Sequence, residues 1–298
     1  MTLLPPVPLK SVLLLLLALS FFRTEAQTPE KGWVLLPEGL NFLPLRGNAQ
    51  EAKMGVLYYF ATSNLKVDMG NSIDILGYHK PFGGEGFISA GAEFMAYAYS
   101  TSYKGYRLQI DAIDGFFGGN VTYRIPRGKN TDYWRFRYIH NSAHLVDGAF
   151  DMSTLWWKEN RLPIPYTRDF AEVIYAPVID YSPAQVRYYG GGSYSVLRRP
   201  DELKRASFIA GAEYHHPELF GTFMNQPVNF FLILNTNITG LPKYTLSTQA
   251  QAGVKFGRWS EKGVLFYLSY FTGNDVFSEY YAQRVSRLGI GFTVDFPG

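Results

Sequence analysis

The segment LGIGFTVDF, residues 288–296, carries the clearest structural pattern in the chain. Large apolar side chains occupy every second position from Leu288 to Phe296, and glycine, threonine or aspartate fills each position between them. Because successive side chains of a β-strand point to opposite faces, the segment forms a strand with one apolar and one polar face. The pattern therefore predicts an amphipathic β-strand.

The same alternation recurs in residues 117–125, 186–196 and 246–257, and no comparable stretch has helical periodicity. The alternating segments predict about twelve strands. They lie near residues 52–61, 69–78, 87–99, 112–126, 132–143, 168–180, 185–198, 206–216, 227–238, 244–258, 263–272 and 286–296.

Long amphipathic strands fit two architectures, which differ in where the apolar face points. A soluble sandwich or barrel turns that face inward, whereas a membrane barrel turns it toward lipid and encloses a polar lumen. Several predicted strands have about ten or more residues, the length that crosses a bilayer at a tilt. The chain also has 23 Phe, 22 Tyr and 5 Trp, enough for interfacial aromatic girdles. These features favour an all-β fold, a transmembrane antiparallel β-barrel of about 12 strands.

The composition excludes several other classes of protein. The chain has no cysteine, so it carries neither a disulfide framework nor a cysteine-based zinc site. Its formal net charge of +3 over 298 residues is too small to indicate a nucleic-acid partner. We predict no cofactor, and a calcium site at the outer loops stays open.

The N-terminal residues have the pattern of a secretory signal. Lys10 precedes an uncharged apolar run, residues 11–22, which is too short to span a bilayer. Small residues before the boundary predict cleavage after Ala26, and an uncleaved membrane anchor is the alternative. The chain is thus divided into a signal peptide (1–26), a periplasmic or lumenal segment (27–51) and an outer-membrane β-barrel (52–298).

This organisation predicts a location in the bacterial outer membrane. The expected partners are outer-membrane lipid and the barrel-assembly machinery, which would recognise the C-terminal strand from Leu288 to Phe296. Short turns face the periplasm and long loops face outward in such barrels, so residues 144–167 are expected to form an outside loop.

Charged residues at predicted inward positions support a polar lumen. They are Glu93, Arg124, Arg135, Arg137, Glu172, Arg187, Glu213 and Lys255. Charges inside a narrow barrel are tolerated when they pair across it. The lumen is then either filled, or it forms a small channel or polar-ligand pocket, for which Arg135, Arg137 and Glu172 are candidate binding residues.

A resemblance to a known family extends over nearly the whole mature chain. The matching segments are residues 36–37, 42–45, 55–59, 140–145 with Asp147, 189–192, 210–213 and 288–292. In these segments the chain resembles a bacterial envelope family known as domain of unknown function 1207. The resemblance implies an outer-membrane β-barrel-like protein, and it implies no activity.

The most specific matching segment is HNSAHLVDG, residues 140–148. The family pattern has a second Ser before the second His, where this chain has Ala143. It also has Gly-Asp-Glu after the Leu, where this chain has Val146, Asp147 and Gly148. A role that depends on the missing Ser or acidic residue is therefore not carried over.

A His-x-Ser motif places His140 and Ser142 on one face of the predicted strand 132–143. Three aromatic residues share that face, whereas Arg135 and Arg137 occupy the other one. Because arginine is costly against lipid, the arginines should face the lumen. His140 and Ser142 are therefore expected on the lipid side, at the outward end of the strand.

A His two residues before a Ser is similar to the arrangement in outer-membrane phospholipases and lipid A deacylases, where the His is the base and the Ser the nucleophile. Those enzymes have Asn directly after the Ser, where this chain has Ala143. Asp147 is the candidate that would orient His140, and His144 is a candidate binding residue. The competing interpretation makes the His and Ser interfacial or loop-capping residues.

Three functions remain open at this point. The leading prediction is an outer-membrane β-barrel of the bacterial cell envelope with a structural or small-ligand role. The alternative is an outer-leaflet lipid acyl hydrolase with Ser142 as nucleophile and His140 as base. A non-specific diffusion pore is the third.

Overall fold

The computed structural model describes residues 32–103 and 107–296, in which twelve antiparallel strands form one closed barrel. The strands are β1 (Met54–Tyr59), β2 (Asn64–His79), β3 (Phe87–Tyr103), β4 (Arg107–Arg127), β5 (Asn130–Leu145), β6 (Tyr166–Tyr175, continued by Val178–Tyr181), β7 (Ala184–Arg199), β8 (Ala206–His216), β9 (Gln226–Gly240), β10 (Tyr244–Phe256), β11 (Gly263–Asn274) and β12 (Arg284–Asp295). Each strand pairs with its neighbours in sequence, and β12 pairs with β1 to close the ring. The predicted all-β barrel of about 12 strands is confirmed.

The apolar face of each strand lies on the outside of the barrel. In β12, Leu288, Ile290 and Phe292 are 51%, 48% and 40% exposed, whereas Thr293 is buried at 7%. Such an inside-out distribution is the mark of a transmembrane barrel, because lipid replaces water around the apolar side chains. No helix among the described residues is long and apolar enough to cross a membrane. The predicted signal peptide, residues 1–26, lies outside the described residues.

A segment that precedes β1 occupies the lumen. The chain first adds a short strand, Gly32–Leu35, to the end of β2, and residues 41–53 then run inside the barrel. Leu45 is fully buried there, and the backbone carbonyls of Leu43 and Pro44 accept hydrogen bonds of 2.7 and 2.9 Å from the Arg187 guanidinium. Residues 41–51 of the predicted segment 27–51 thus fill one end of the barrel.

The loop between β11 and β12, residues 275–283, covers the other end of the lumen. Phe277 is fully buried between the rings of Tyr97 and Tyr99, at centroid distances of 5.4 and 4.8 Å. Tyr97 also donates a hydrogen bond of 2.8 Å to the carbonyl of Val276. The barrel is therefore closed at both ends by its own chain.

Several strand boundaries differ from the expected ones, among them the start of β2, at residue 64 and not 69. The predicted strand 168–180 is interrupted at residues 176–177, because Pro177 has no N–H to donate to the sheet. Ala176 still exchanges backbone hydrogen bonds with Tyr133. The expected loop 100–111 is shorter than predicted, since β3 continues to residue 103 and β4 begins at residue 107.

Candidate functional site on the outer wall

Strand β5 presents an aromatic face to the outside and a charged face to the lumen. Trp134, Phe136 and Tyr138 are each more than 40% exposed, and Arg135 and Arg137 between them are buried. The alternation continues without a bulge to the end of the strand. It places His140, Ser142 and His144 on the outward, lipid-facing side.

His140 is held by a carboxylate on the adjacent strand. Its Nδ1 atom lies 2.6 Å from Oδ1 of Asp169, and the register of β5 and β6 places the two residues directly opposite each other. The side chains are only 34% and 25% exposed. The ring of Phe117 on β4 packs against the imidazole at a centroid distance of 4.8 Å. The imidazole is therefore fixed on two sides.

The carboxylate beside His140 is not that of Asp147, the residue expected from sequence. Asp147 begins the 3₁₀ turn Asp147–Ala149, beyond the end of β5, and its side chain is exposed. The chain leaves the barrel wall at this turn, so Asp147 cannot share a strand register with His140. Asp169 takes the position instead, and the outward alternation of β6 was the only sequence signal that pointed to it.

Ser142 lies on the same face of β5 as His140, two residues closer to the outer end of the strand. Its cross-strand neighbours are Gly115 on β4 and Thr167 on β6. A Cβ atom at Gly115 would lie 3.9 Å from the Ser142 hydroxyl, so the absent side chain leaves open space there. Among the described residues the Ser142 hydroxyl has no hydrogen-bond partner, and no hydrogen bond joins it to His140.

A shallow apolar groove runs along the outer wall from the histidine. It is lined by Phe117, Val121, Phe136 and Tyr138, with Gly119 at its floor and His140 and Asp169 at one end. The groove lies on the lipid-facing surface, and most of its lining is apolar. A polar pair at the end of an apolar groove is suited to an ester group carrying a fatty acyl chain.

His144 does not join this arrangement. It lies outward and exposed near the end of β5, and it makes no hydrogen bond with the described residues. The described residues also contain no group of three or more His, Cys, Asp or Glu side chains that could hold a metal ion.

The three lumenal candidates belong to one buried ion-pair network. Arg135 makes a bidentate contact with Glu51 of the lumenal segment, at 2.7 and 2.6 Å, and its guanidinium also lies 3.1 Å from Glu172. Arg137 contacts Glu172 at 2.6 Å and Glu93 at 3.3 Å. These charges join the lumenal segment to the barrel wall, so the network holds the segment in place.

The network also sets the ionisation of Glu51. Burial alone would raise its pKa, but the positive charges of Arg135 and Arg137 outweigh that effect and lower the pKa to about 2. Glu51 is therefore ionised at every physiological pH.

These features define the class of protein, a transmembrane β-barrel with a filled lumen and a polar site on its outer wall. A family model described as "Protein of unknown function (DUF1207)" matches residues 109–296, well over half of the chain. The chain belongs to this family, as the resemblance predicted.

The barrel is also similar to a solved structure, the beta domain of the Bordetella autotransporter BrkA. The TM-score is 0.40 at 10% sequence identity, covering 82% of this chain and 98% of that chain. No curated protein matches the chain in sequence.

Proposed function

We propose that the protein is an acyl ester hydrolase of the bacterial outer membrane that acts on outer-leaflet lipid. Ser142 is the nucleophile, His140 the general base and Asp169 the carboxylate that orients the histidine. The observation that carries the proposal is the 2.6 Å contact between His140 Nδ1 and Asp169, beside a serine on the same face.

The position of the pair supports a functional role. Polar and charged side chains on the lipid face of a barrel are destabilising, by an amount that decreases toward the interface. His140 and Asp169 lie among Phe117, Phe136 and Tyr138, where apolar residues would pack as well. Such a destabilisation is expected where the polar groups take part in catalysis.

The contact also prepares the histidine for catalysis. With its Nδ1–H donated to Asp169, the imidazole keeps its Nε2 lone pair available to accept a proton. As Ser142 Oγ attacks the ester carbonyl, its proton passes to Nε2, and the tetrahedral intermediate forms. His140 then returns the proton to the leaving alkoxide, and the acyl–oxygen bond to the lipid breaks.

The second half of the reaction repeats these steps with water. His140 accepts a proton from water as the water oxygen attacks the acyl-serine. The released fatty acid leaves, and Ser142 recovers its proton from His140. Asp169 keeps its contact with Nδ1 throughout and stabilises the imidazolium that forms twice.

The direct test uses the purified mature protein in vesicles of phosphatidylethanolamine and lipopolysaccharide, with released fatty acid measured by mass spectrometry. We expect release by the wild type and its loss in Ser142→Ala and His140→Ala. The matched control is Ser286→Ala, which removes another outward serine, one that bonds only to Tyr270. A wild type that releases no fatty acid from either lipid, or a Ser142→Ala variant that keeps the activity, contradicts the proposal.

A passive structural barrel is the second candidate, and the filled lumen favours it over a diffusion pore. Residues 41–53 and the loop 275–283 occupy the two ends of the barrel. A purely structural protein would release no fatty acid in the vesicle assay and would conduct no ions in a planar bilayer. The two measurements together separate the three functions.

A location in the bacterial outer membrane, with cleavage after Ala26 and assembly through the strand from Leu288 to Phe296, is part of this proposal. The lipid-facing band of β12 supports it. N-terminal sequencing of protein recovered from outer membranes would give Gln27 as the first residue.

A further inference from the structure

An internal cavity remains between the lumenal segment and the outer loop. It has a volume of about 100 Å³ and lies between residues 47–50 on one side and Val276, Ser278 and Tyr281 on the other. Amide and hydroxyl side chains of β7, β8, β9 and β10 form much of its wall. This space is enough for a small polar solute or several water molecules.

One cationic side chain on this wall is buried without a counter-charge. Arg168 on β6 is 5% exposed, and within the described ranges it forms no ion pair. Its Nε atom donates a hydrogen bond of 3.1 Å to Ser195 Oγ, and its guanidinium lies over the ring of Phe170. The terminal nitrogens of its guanidinium have no hydrogen-bond partner among these residues.

The other buried arginines are different. Arg135 and Arg137 are the two further arginines in the buried set of the described chain, and each contacts at least two carboxylates. An uncompensated buried charge is strongly destabilising, and pairing is the usual remedy. The absence of a partner at Arg168 therefore points to a group that the chain does not itself supply.

The acidic residues on the cavity wall are already engaged. Glu172 contacts Arg135 and Arg137, and Asp275 makes a bidentate contact with Arg287 at 2.9 and 2.5 Å. Neither carboxylate pairs with Arg168. The cavity thus presents one available positive charge among neutral polar groups.

Several neutral side chains in the cavity wall have donors or acceptors without a hydrogen-bond partner among the described residues. The side chains of Ser193, Ser207 and Asn237 make no hydrogen bond within the part of the chain described, and all three line the cavity. Asn235 uses only its carbonyl oxygen, which accepts a hydrogen bond from Tyr189, so its amide N–H groups remain. Donors and acceptors of this kind match the hydroxyl groups of a ligand.

We propose that this cavity binds a small hydroxylated organic anion, whose carboxylate or phosphate group pairs with Arg168. The planar guanidinium suits bidentate contact with either oxyanion. The amides and hydroxyls on β7, β8 and β9 then bind the hydroxyl groups. The site lies inside the barrel and is separate from the outer-wall site of His140. The binding proposal therefore does not depend on the proposed hydrolase.

The test is calorimetric titration of the purified, detergent-solubilised protein with D-glycerate, D-gluconate, 3-phosphoglycerate and inorganic phosphate, with D-glucose as the neutral probe. We expect saturable binding of at least one hydroxylated anion and none of glucose. Comparing the affinities for D-glycerate and D-gluconate with the affinity for 3-phosphoglycerate shows whether the site prefers a carboxylate or a phosphate group. Inorganic phosphate alone tests whether hydroxyl groups contribute.

Two variants assign the binding to the cavity. Arg168→Met removes the charge at nearly constant volume and should weaken binding by about tenfold or more. Arg258→Met makes the same change at an exposed arginine and should leave binding unchanged. Should Arg168→Met fail to fold, as judged by loss of heat-modifiable migration on gels, Asn237→Leu replaces it and should weaken binding of the hydroxylated anions.

The outcomes that overturn the proposal are definite. They are no saturable binding of any of the four anions by the wild type, or equal binding by the wild type and the Arg168→Met variant. Binding of inorganic phosphate alone, unaffected by Asn237→Leu, also overturns it, because the hydroxyl-binding wall would then have no role.

Discussion

Asp169 lies directly across the β5–β6 pairing from His140, and its carboxylate contacts Nδ1 of the imidazole at 2.6 Å. The two residues are separated along the chain by the outside loop, and both point away from the lumen. Their contact joins the His-x-Ser motif of β5 to a carboxylate of β6.

Asp169 can be tested separately from the nucleophile. We expect Asp169→Asn to fold normally and to lower the rate of fatty acid release by about 10²–10⁴-fold, because an amide favours the wrong imidazole tautomer. The rate in lipid vesicles is the measurement. Asp147→Asn is the matched control and should keep the wild-type rate; equal losses in both variants would remove the special role of Asp169.

Glu51 is expected to anchor the lumenal segment. Glu51→Gln leaves Arg135 with a weakened set of partners in a buried site, so we expect a loss of about 3 kcal/mol in the free energy of unfolding. Urea titration of the detergent-solubilised barrel measures it. Glu261→Gln alters only an exposed pair with Arg258 and should have no measurable effect. A stability of Glu51→Gln equal to that of the wild type would show that the network does not hold the segment.

The lowered pKa of Glu51 predicts that the free energy of unfolding decreases in acid. The pKa of Glu51 is lowered to about 2 in the folded protein, below its ordinary value of 4.5. The unfolded chain therefore binds a proton first as the pH falls, and stability decreases between about pH 4.5 and about pH 2. Urea midpoints measured across this range should fall less steeply in Glu51→Gln. Parallel curves for the two proteins would contradict the assignment.

The lumenal segment should also determine conductance. The wild type is expected to show no steady ion current in a planar bilayer, because residues 41–53 and 275–283 fill the lumen. A variant that lacks residues 37–52 and has residues 276–282 replaced by a short Gly-Ser turn should conduct, since both obstructions are then removed. A stable current from the wild type would favour the diffusion pore instead.

The barrel strands were predictable because lipid and lumen impose opposite demands on alternate residues. Most strands show this alternation, and β12 shows it most plainly in Leu288, Ile290 and Phe292. The lumenal segment has no such alternation of apolar and polar residues. Part of its attachment is a pair of hydrogen bonds from Arg187 to backbone carbonyls, and a backbone carbonyl has no sequence signature.

The candidate site was half predictable for a related reason. The outward side of His140 and Ser142 follows from period two within one strand. Their neighbour depends on the register between β5 and β6, which residues 146–165 connect, and a loop of this length does not fix a register. The sequence alternation of β6 places Asp169 on the outer face, but only the register places it beside His140, and the sequence alone favours the nearer Asp147.

The most direct test of the central claim is covalent labelling of the purified protein in lipid vesicles with a long-chain alkyl fluorophosphonate, followed by peptide mass spectrometry. An activated serine displaces fluoride and keeps the phosphonyl group, whereas an ordinary hydroxyl does not react. We expect a single modified residue, Ser142, in the wild type and no modification in the His140→Ala variant. An unmodified Ser142 in the wild type, or equal labelling in His140→Ala, would contradict it.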